Sequence, residues 1–183
     1  MKLFLQNEAT AIANAGDVEV ILGRFPKEVC AAAPNLRWIQ SFSTGMDKFL
    51  FPEIIERDEV MISNVAGLYA SQGAEHAWAL LLALTRGITT SWDNQKIKKW
   101  GGGSSIELAG STLGLVGLGG FGIEMAKRAQ GYSMTILAVD PVRTEKPAYV
   151  AELKPTNREN LHSLLTRSDV VMMACPLTQG LIT

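Results

Sequence analysis

Histidine and cysteine are the scarcest chemistry-bearing residues in this 183-residue chain, with two of each. Cys30 and Cys175 do not form the paired spacing of a metal site, and one isolated pair gives no reason to expect a disulfide framework. Both are expected to be reduced thiols packed as small hydrophobes, with no metal centre. The only histidines, His76 and His162, leave little material for proton transfer. Neither sign of charge is in excess, since 17 Lys and Arg stand against 18 Asp and Glu for a net charge of -1. Nucleic acid is therefore excluded as a partner, because phosphate backbones are held by basic surfaces. Long apolar runs are missing too. The longest, Ala77 to Leu84, has eight residues, against the ~20 of a membrane-spanning helix. The opening MKLFLQNEATAIANAGD lacks the extended apolar core of a secretory signal, so a cytoplasmic protein with no membrane segment is expected.

What is present is an ordinary globular composition, 47% hydrophobic and 19% charged, organised as alternating strands and helices. DVEVILG (Asp17 to Gly23), LRWIQSF (Leu36 to Phe42) and EVMISN (Glu59 to Asn64) read as short strands rich in β-branched residues. Between them PKEVCAAAP and FPEIIER carry helical signals, with Pro26 and Pro52 where a first turn tolerates proline. This βαβαβ order implies a parallel sheet. AEHAWALLLALTR (Ala74 to Arg86) is helical and apolar on nearly every side, which predicts burial within a domain or against a partner. Glu75, near its start, is explained by helix capping and the macrodipole. Thr89 to Ser105 is polar and reads as a crossing segment with Gly101 to Ser105 as its flexible part.

A second α/β rhythm follows. Leu113 to Val116 is a strand, Ile123 to Gln130 a helix and Met134 to Val139 a strand. A short strand is expected near Val150 to Leu153, and a helix over Glu159 to Arg167. Asp169 to Ala174 is then a strand whose continuous apolar character predicts burial on both faces. The strongest chemical signal is GLVGLGGFG followed by ILAVD. Gly117, Gly119 and Gly122 occupy the glycine positions of G-x-G-x-x-G. The first permits a tight strand-to-helix turn, the second lets the backbone approach a pyrophosphate, and the third allows close helix-on-strand packing. Asp140 stands 18 residues after Gly122, at the end of the next strand, where a carboxylate accepts hydrogen bonds from ribose hydroxyls and repels a 2'-phosphate. The pattern predicts dinucleotide binding with NAD favoured over NADP, a preference that the nearby Arg143 softens.

With these blocks in order, the sequence resembles the D-isomer-specific 2-hydroxyacid dehydrogenases, NAD-dependent enzymes that reduce 2-keto acids. WIQSFSTGMDKF, AEHAWALLLALTRGI, W(x)6ELAGSTLGLVGLGGFG and SDVVMMACPLT carry the resemblance. It implies an α/β fold in two parts. Residues 1–88 would be a partial flavodoxin-like substrate domain with its long apolar helix, and 89–183 the first half of a Rossmann-like NAD-binding domain, an incomplete doubly wound parallel sheet. It further implies that Thr44 and Gly45 hold the substrate carboxylate, with Thr44 also close to the nicotinamide and Arg24 facing the substrate. Gly120 and Phe121 would place backbone N–H groups on the diphosphate, Asp140 would hold the ribose, and Cys175 with Pro176 would line the adenine pocket. His76 matches a packing and hydrogen-bonding position of the family, and His162 reads as solvent-facing on an amphipathic helix.

The family's catalytic arginine, acid and histidine follow the CPLT segment, and this sequence stops at Thr183. Only sixteen residues precede Asp17, where relatives carry a further β-α-β stretch. The expectation is a chain truncated at both ends that has no catalytic residues of its own and is inactive by itself. Asp169 to Ala174 is expected to present an unpaired apolar edge, and the ending Gln179 to Thr183 fits the family's PLT-x-x-T pattern least well. The resemblance implies a 2-keto or 2-hydroxy acid as the small partner, and the apolar helix would make a homodimer. A non-catalytic, corepressor-like NAD-binding or dimerising module is the alternative. An S-adenosylmethionine-dependent methyltransferase shares the glycine-rich turn but not the four blocks.

Overall fold

The computed structural model describes residues 7–103 and 105–176; the ending Gln179 to Thr183 lies outside them. The contacts divide the chain into two compact units, one up to Leu68 and the other spanning Tyr69–Pro176. The division falls well before residue 88, so the long apolar helix belongs to the second unit.

In the first unit a short helix α1 (Glu8–Ala13) precedes three parallel strands, β1 (Val20–Leu22), β2 (Trp38–Gln40) and β3 (Met61–Ser63), in the order β1-β2-β3. Helices α2 (Lys27–Ala31) and α3 (Pro52–Ile55) connect them, with Pro26 capping the first and Pro52 opening the second. The core gathers Phe25, Leu36, Ile39 and Ile54 around Cys30, and Phe25 lies 5.3 Å from the ring of Phe49. Burial pushes the Cys30 thiol up to about 11, against a smaller opposing pull from Arg57, so it is an inert thiol at neutral pH. The sequence pattern did not reveal the role of Arg57. Its guanidinium donates to the carbonyls of Cys30, Ala33, Pro34 and Leu36 and to Glu59, tying the end of α2 to the start of β3. Five N–H donors in a planar fork make arginine suited to collecting carbonyls that a short helix leaves unsatisfied.

The second unit begins with α4 (Ala70–Thr85) and α5 (Ile88–Lys96), then carries β4 (Thr112–Val116), α6 (Gly120–Ala129), β5 (Thr135–Asp140), β6 (Glu152–Pro155), α7 (Arg158–Arg167) and β7 (Val170–Met173). All four strands are parallel in the order β6-β5-β4-β7. This is the 3-2-1-4 arrangement with which a doubly wound dinucleotide-binding sheet begins. Its core joins Leu113, Leu115 and Ile136 of the sheet to Met125 and Ala129 of α6 and to Ala74 and Trp78 of α4. Trp78 stacks on Tyr132 at 4.7 Å.

Several expectations need correction. The apolar helix is not covered all round: Ala74 and Trp78 are buried, whereas Leu84 is 78% exposed, and Leu80, Ile88 and Trp92 are exposed with it. Leu80 and Leu84 stand one turn apart on α4, and Ile88 and Trp92 one turn apart on α5. The crossing segment forms α5, because Gly87, in a left-handed conformation, ends α4 and lets the chain restart. The stretch after α5 is anchored at its two ends, and Ser104 lies outside the described residues. Asn94 donates to the Gly101 carbonyl, and Ile106 N–H donates to Thr85. Among the described residues, strand β7 packs on one face: Val170 and Met172 face the core while Val171 and Met173 are exposed. It is the outer strand, and α7 packs over β4 and β5. The β6 strand starts two residues later than Val150, which is instead a buried core residue.

Glu75 does not cap α4, which starts at Ala70; it pairs with Arg128 of α6 at 3.1 Å. Arg128 also donates to Ser71 Oγ and Glu124, and so links the two helices. His76 is exposed on α4 rather than packed, and His162 is exposed on α7 as expected. No helix among the described residues is long and apolar enough to cross a membrane.

Candidate functional site

In the second unit the C-terminal ends of β4, β5 and β7 converge. The turn after β4 begins at Gly117, whose φ of +100° lies in the left-handed region. A Cβ there would stand 2.8 Å from the Ala174 carbonyl oxygen and 3.0 Å from Cys175 N, so the end of β7 closes on this turn. Gly122, buried in the first turn of α6, allows equally close contact, since a Cβ would run into the Gly117 carbonyl oxygen. Gly119 differs from both: no atom lies within 4 Å of where its Cβ would be. It is the N-cap of α6 in an extended conformation and supplies no side-chain cap. The N–H groups of Gly120, Phe121 and Gly122 therefore have no partner within the helix, and the space beside Gly119 at its start is open. The Phe121 side chain turns away and packs on Gly73 of α4.

Asp140 closes the other side. Its Oδ2 accepts from Leu118 N–H at 2.7 Å, and its Oδ1 accepts from Val142 N–H at 2.9 Å and Arg143 N–H at 2.7 Å. Partial burial by itself raises the carboxyl's pKa. The three N–H donors and the neighbouring Arg143 charge outweigh it and hold Asp140 below the ordinary value of 3.8. Because the folded value is depressed, this stabilisation is fully present above pH 3.8 and is lost as pH falls through the folded value. An acid unfolding series on the wild-type chain and Asp140→Ala should show the two curves converging below that pH. Curves that run parallel down to pH 2 would contradict it.

Cys175 is half-buried beside Val116, Val139 and Leu164, and Pro176 is exposed. Both lie at the end of β7 next to Gly117, so Gly117, Gly119, Gly120, Phe121, Gly122, Asp140, Cys175 and Pro176 share one edge of one sheet. The crevice falls between β4 and β7, where successive connections leave the sheet in opposite directions, the place where ligands bind in open parallel sheets. The surroundings fit a dinucleotide: an open glycine above a helix N-terminus for the diphosphate, and an ionised acid one strand away for the ribose. Two surface clefts, of about 830 Å³ beside Trp92 and Trp100 and about 430 Å³ beside Tyr132, share no residue with this edge.

In the first unit Arg24 follows β1 and is exposed, while Thr44 and Gly45 lie exposed in the loop after β2. All three stand at the C-terminal edge of the β1-β2-β3 sheet. The sequence reading missed Asn64, at the end of β3. Its side-chain amide donates to the Thr44 carbonyl at 3.0 Å and its Oδ1 accepts from Ala66 N–H, which fixes the loop that carries Thr44 and Gly45. The signal was available, since a lone Asn where a strand ends favours side-chain bonding to nearby backbone.

Comparison with known proteins decides the family. Residues 78–181 match the D-isomer specific 2-hydroxyacid dehydrogenase, NAD-binding domain. The chain belongs to that family. Among its relatives, a glyoxylate reductase of Pyrococcus furiosus is 34% identical over 173 residues, covering 88% of this chain and 50% of its own length. A hydroxypyruvate reductase of Thermotoga maritima is 32% identical over 170 residues, covering 90% of this chain and 53% of its own length. The fold agrees with that of a D-isomer specific 2-hydroxyacid dehydrogenase family protein from Aeromonas salmonicida, with a TM-score of 0.85 at 24% identity over 95% of this chain and 55% of that one. The chain thus spans about half the length of these dehydrogenases.

Proposed function

We propose that this chain is the dinucleotide-holding part of an NAD-dependent oxidoreductase acting between a D-2-hydroxy acid and its 2-keto acid. The observation that carries the reading is the pairing of an open Gly119 over a helix N-terminus with an ionised Asp140 on the next strand. In this reading Gly120 and Phe121 N–H groups bind the diphosphate, Asp140 accepts a ribose hydroxyl, and Cys175 with Pro176 flanks the adenine. When bound, the nicotinamide cofactor supplies or accepts the hydride. Thr44 and Gly45 orient the substrate carboxylate through backbone N–H groups, with Arg24 as a further cation. The first unit, up to Leu68, belongs to the substrate-binding part, and the second, Tyr69–Pro176, to the NAD-binding part. The exposed Leu80 and Leu84 support a homodimer through α4. A soluble, cytoplasmic enzyme fits this reading.

Substrate protonation needs a group within hydrogen-bond reach of the reacting oxygen. The sequence holds two histidines, His76 on α4 and His162 on α7, and both are exposed. The 183-residue chain by itself is therefore expected to bind NADH more tightly than NADPH and to leave it unoxidised with glyoxylate, pyruvate or hydroxypyruvate. Fluorescence and absorbance titrations with both cofactors check this. Saturable turnover would overturn the expected inactivity, and a preference for NADPH would overturn the role given to Asp140.

A further inference from the structure

The hydrogen bonds of Asp140 go beyond what a ribose ligand requires. Gly117 N–H donates to the Val139 carbonyl at 2.8 Å, and the next N–H, Leu118, donates to Asp140 Oδ2 at 2.7 Å. Two successive N–H groups of the glycine-rich turn are thus tied to the end of β5, immediately before Gly119. The other oxygen, Oδ1, gathers Val142 and Arg143 N–H groups and folds the loop that leaves β5. One carboxylate joins two loops that are far apart in sequence. An ionised carboxylate accepts about four hydrogen bonds, so one position, on Oδ2, remains for a ligand.

We propose that Asp140 is a positioning residue for the phosphate-binding turn as well as a ribose acceptor: it holds Leu118 so that the N–H groups after Gly119 are set before any ligand arrives. The ligand arm of this inference rests on the dinucleotide reading above; the positioning arm concerns the ligand-free chain. Asp140→Asn separates the roles. An amide has one oxygen and one NH2, so in either orientation an NH2 group faces backbone N–H donors that previously met an acceptor. The substitution also removes a negative charge near the anion site. Electrostatics without positioning then predicts that inorganic pyrophosphate, which has no ribose, binds Asp140→Asn equally or more tightly. Positioning predicts the opposite.

The test follows amide hydrogen exchange and amide chemical shifts by NMR. In ligand-free Asp140→Asn, exchange at Leu118 is expected to accelerate about tenfold, the scale of one lost charge-assisted hydrogen bond, and pyrophosphate affinity at Gly120 and Phe121 to fall about threefold or more. Unchanged exchange, together with equal or tighter pyrophosphate binding, would overturn the proposal. If Asp140→Asn does not fold, the wild-type chain decides. On acidification the Leu118, Val142 and Arg143 amides should shift together with a single midpoint, and independent behaviour of Leu118 would overturn it. Wild-type protein that binds neither pyrophosphate nor NADH would remove the dinucleotide reading, while exchange at Leu118 would still decide the positioning role.

Discussion

Replacing Gly119 with valine is expected to weaken NADH binding about a hundredfold, or about 3 kcal/mol, while leaving the thermal midpoint within about 2 °C of the wild type. The expectation combines two facts about one residue. Gly119 is extended, with a φ of −73°, and nothing lies within 4 Å of a Cβ placed there. Valine is at home in that backbone region, and a residue other than glycine restricts the unfolded chain, so stability has no reason to fall. The open space has a different meaning for a ligand. It lies above the amides that begin α6, where a diphosphate would have to approach the backbone closely, and an isopropyl group would fill it. A folded Gly119→Val protein that binds NADH as well as the wild type would place the diphosphate elsewhere.

Gly117→Val should do the reverse. This position combines a left-handed φ with a Cβ path blocked by the backbone at Ala174 and Cys175. Neither obstacle is the flexible end of a side chain, so relief requires moving β7 relative to β4. The expected cost is about 3 kcal/mol or more, a fall in melting temperature of about 6 °C or more for a chain of this size. Cofactor binding is then lost with the fold rather than instead of it. Thermal melts followed by circular dichroism check this, and an unshifted melt would contradict the described junction of β4 and β7. Two glycines of one motif thus separate into one that serves the fold and one that serves the ligand.

That division was legible in the sequence as a set of roles, because each role follows from where G-x-G-x-x-G stands relative to a strand and a helix. The same spacing placed Asp140 at the end of β5. The sequence could not show that Asp140 also holds Leu118, since that bond depends on the direction of one N–H in a turn. The bonds of Arg57 to the carbonyls from Cys30 to Leu36 and of Arg128 to Glu75 were invisible for a related reason: packing brings these partners close, whereas local patterns report only neighbours in sequence. Helix α5 was missed because ITTSW is rich in residues of modest helix propensity, and the left-handed Gly87 that lets it start is a backbone property. Strand β7 misled in the other direction. An unbroken apolar run signals burial on both faces only when something covers both, and among the described residues Val171 and Met173 stay exposed.

The most direct test of the central claim, that the turn from Gly117 to Gly122 and Asp140 form a dinucleotide-binding site, is a fluorescence titration of NADH into the wild-type and Gly119→Val chains side by side. Saturable binding to the wild type with about a hundredfold loss in the folded variant is the predicted result. Equal binding by both, or none by a folded wild-type chain, would contradict it.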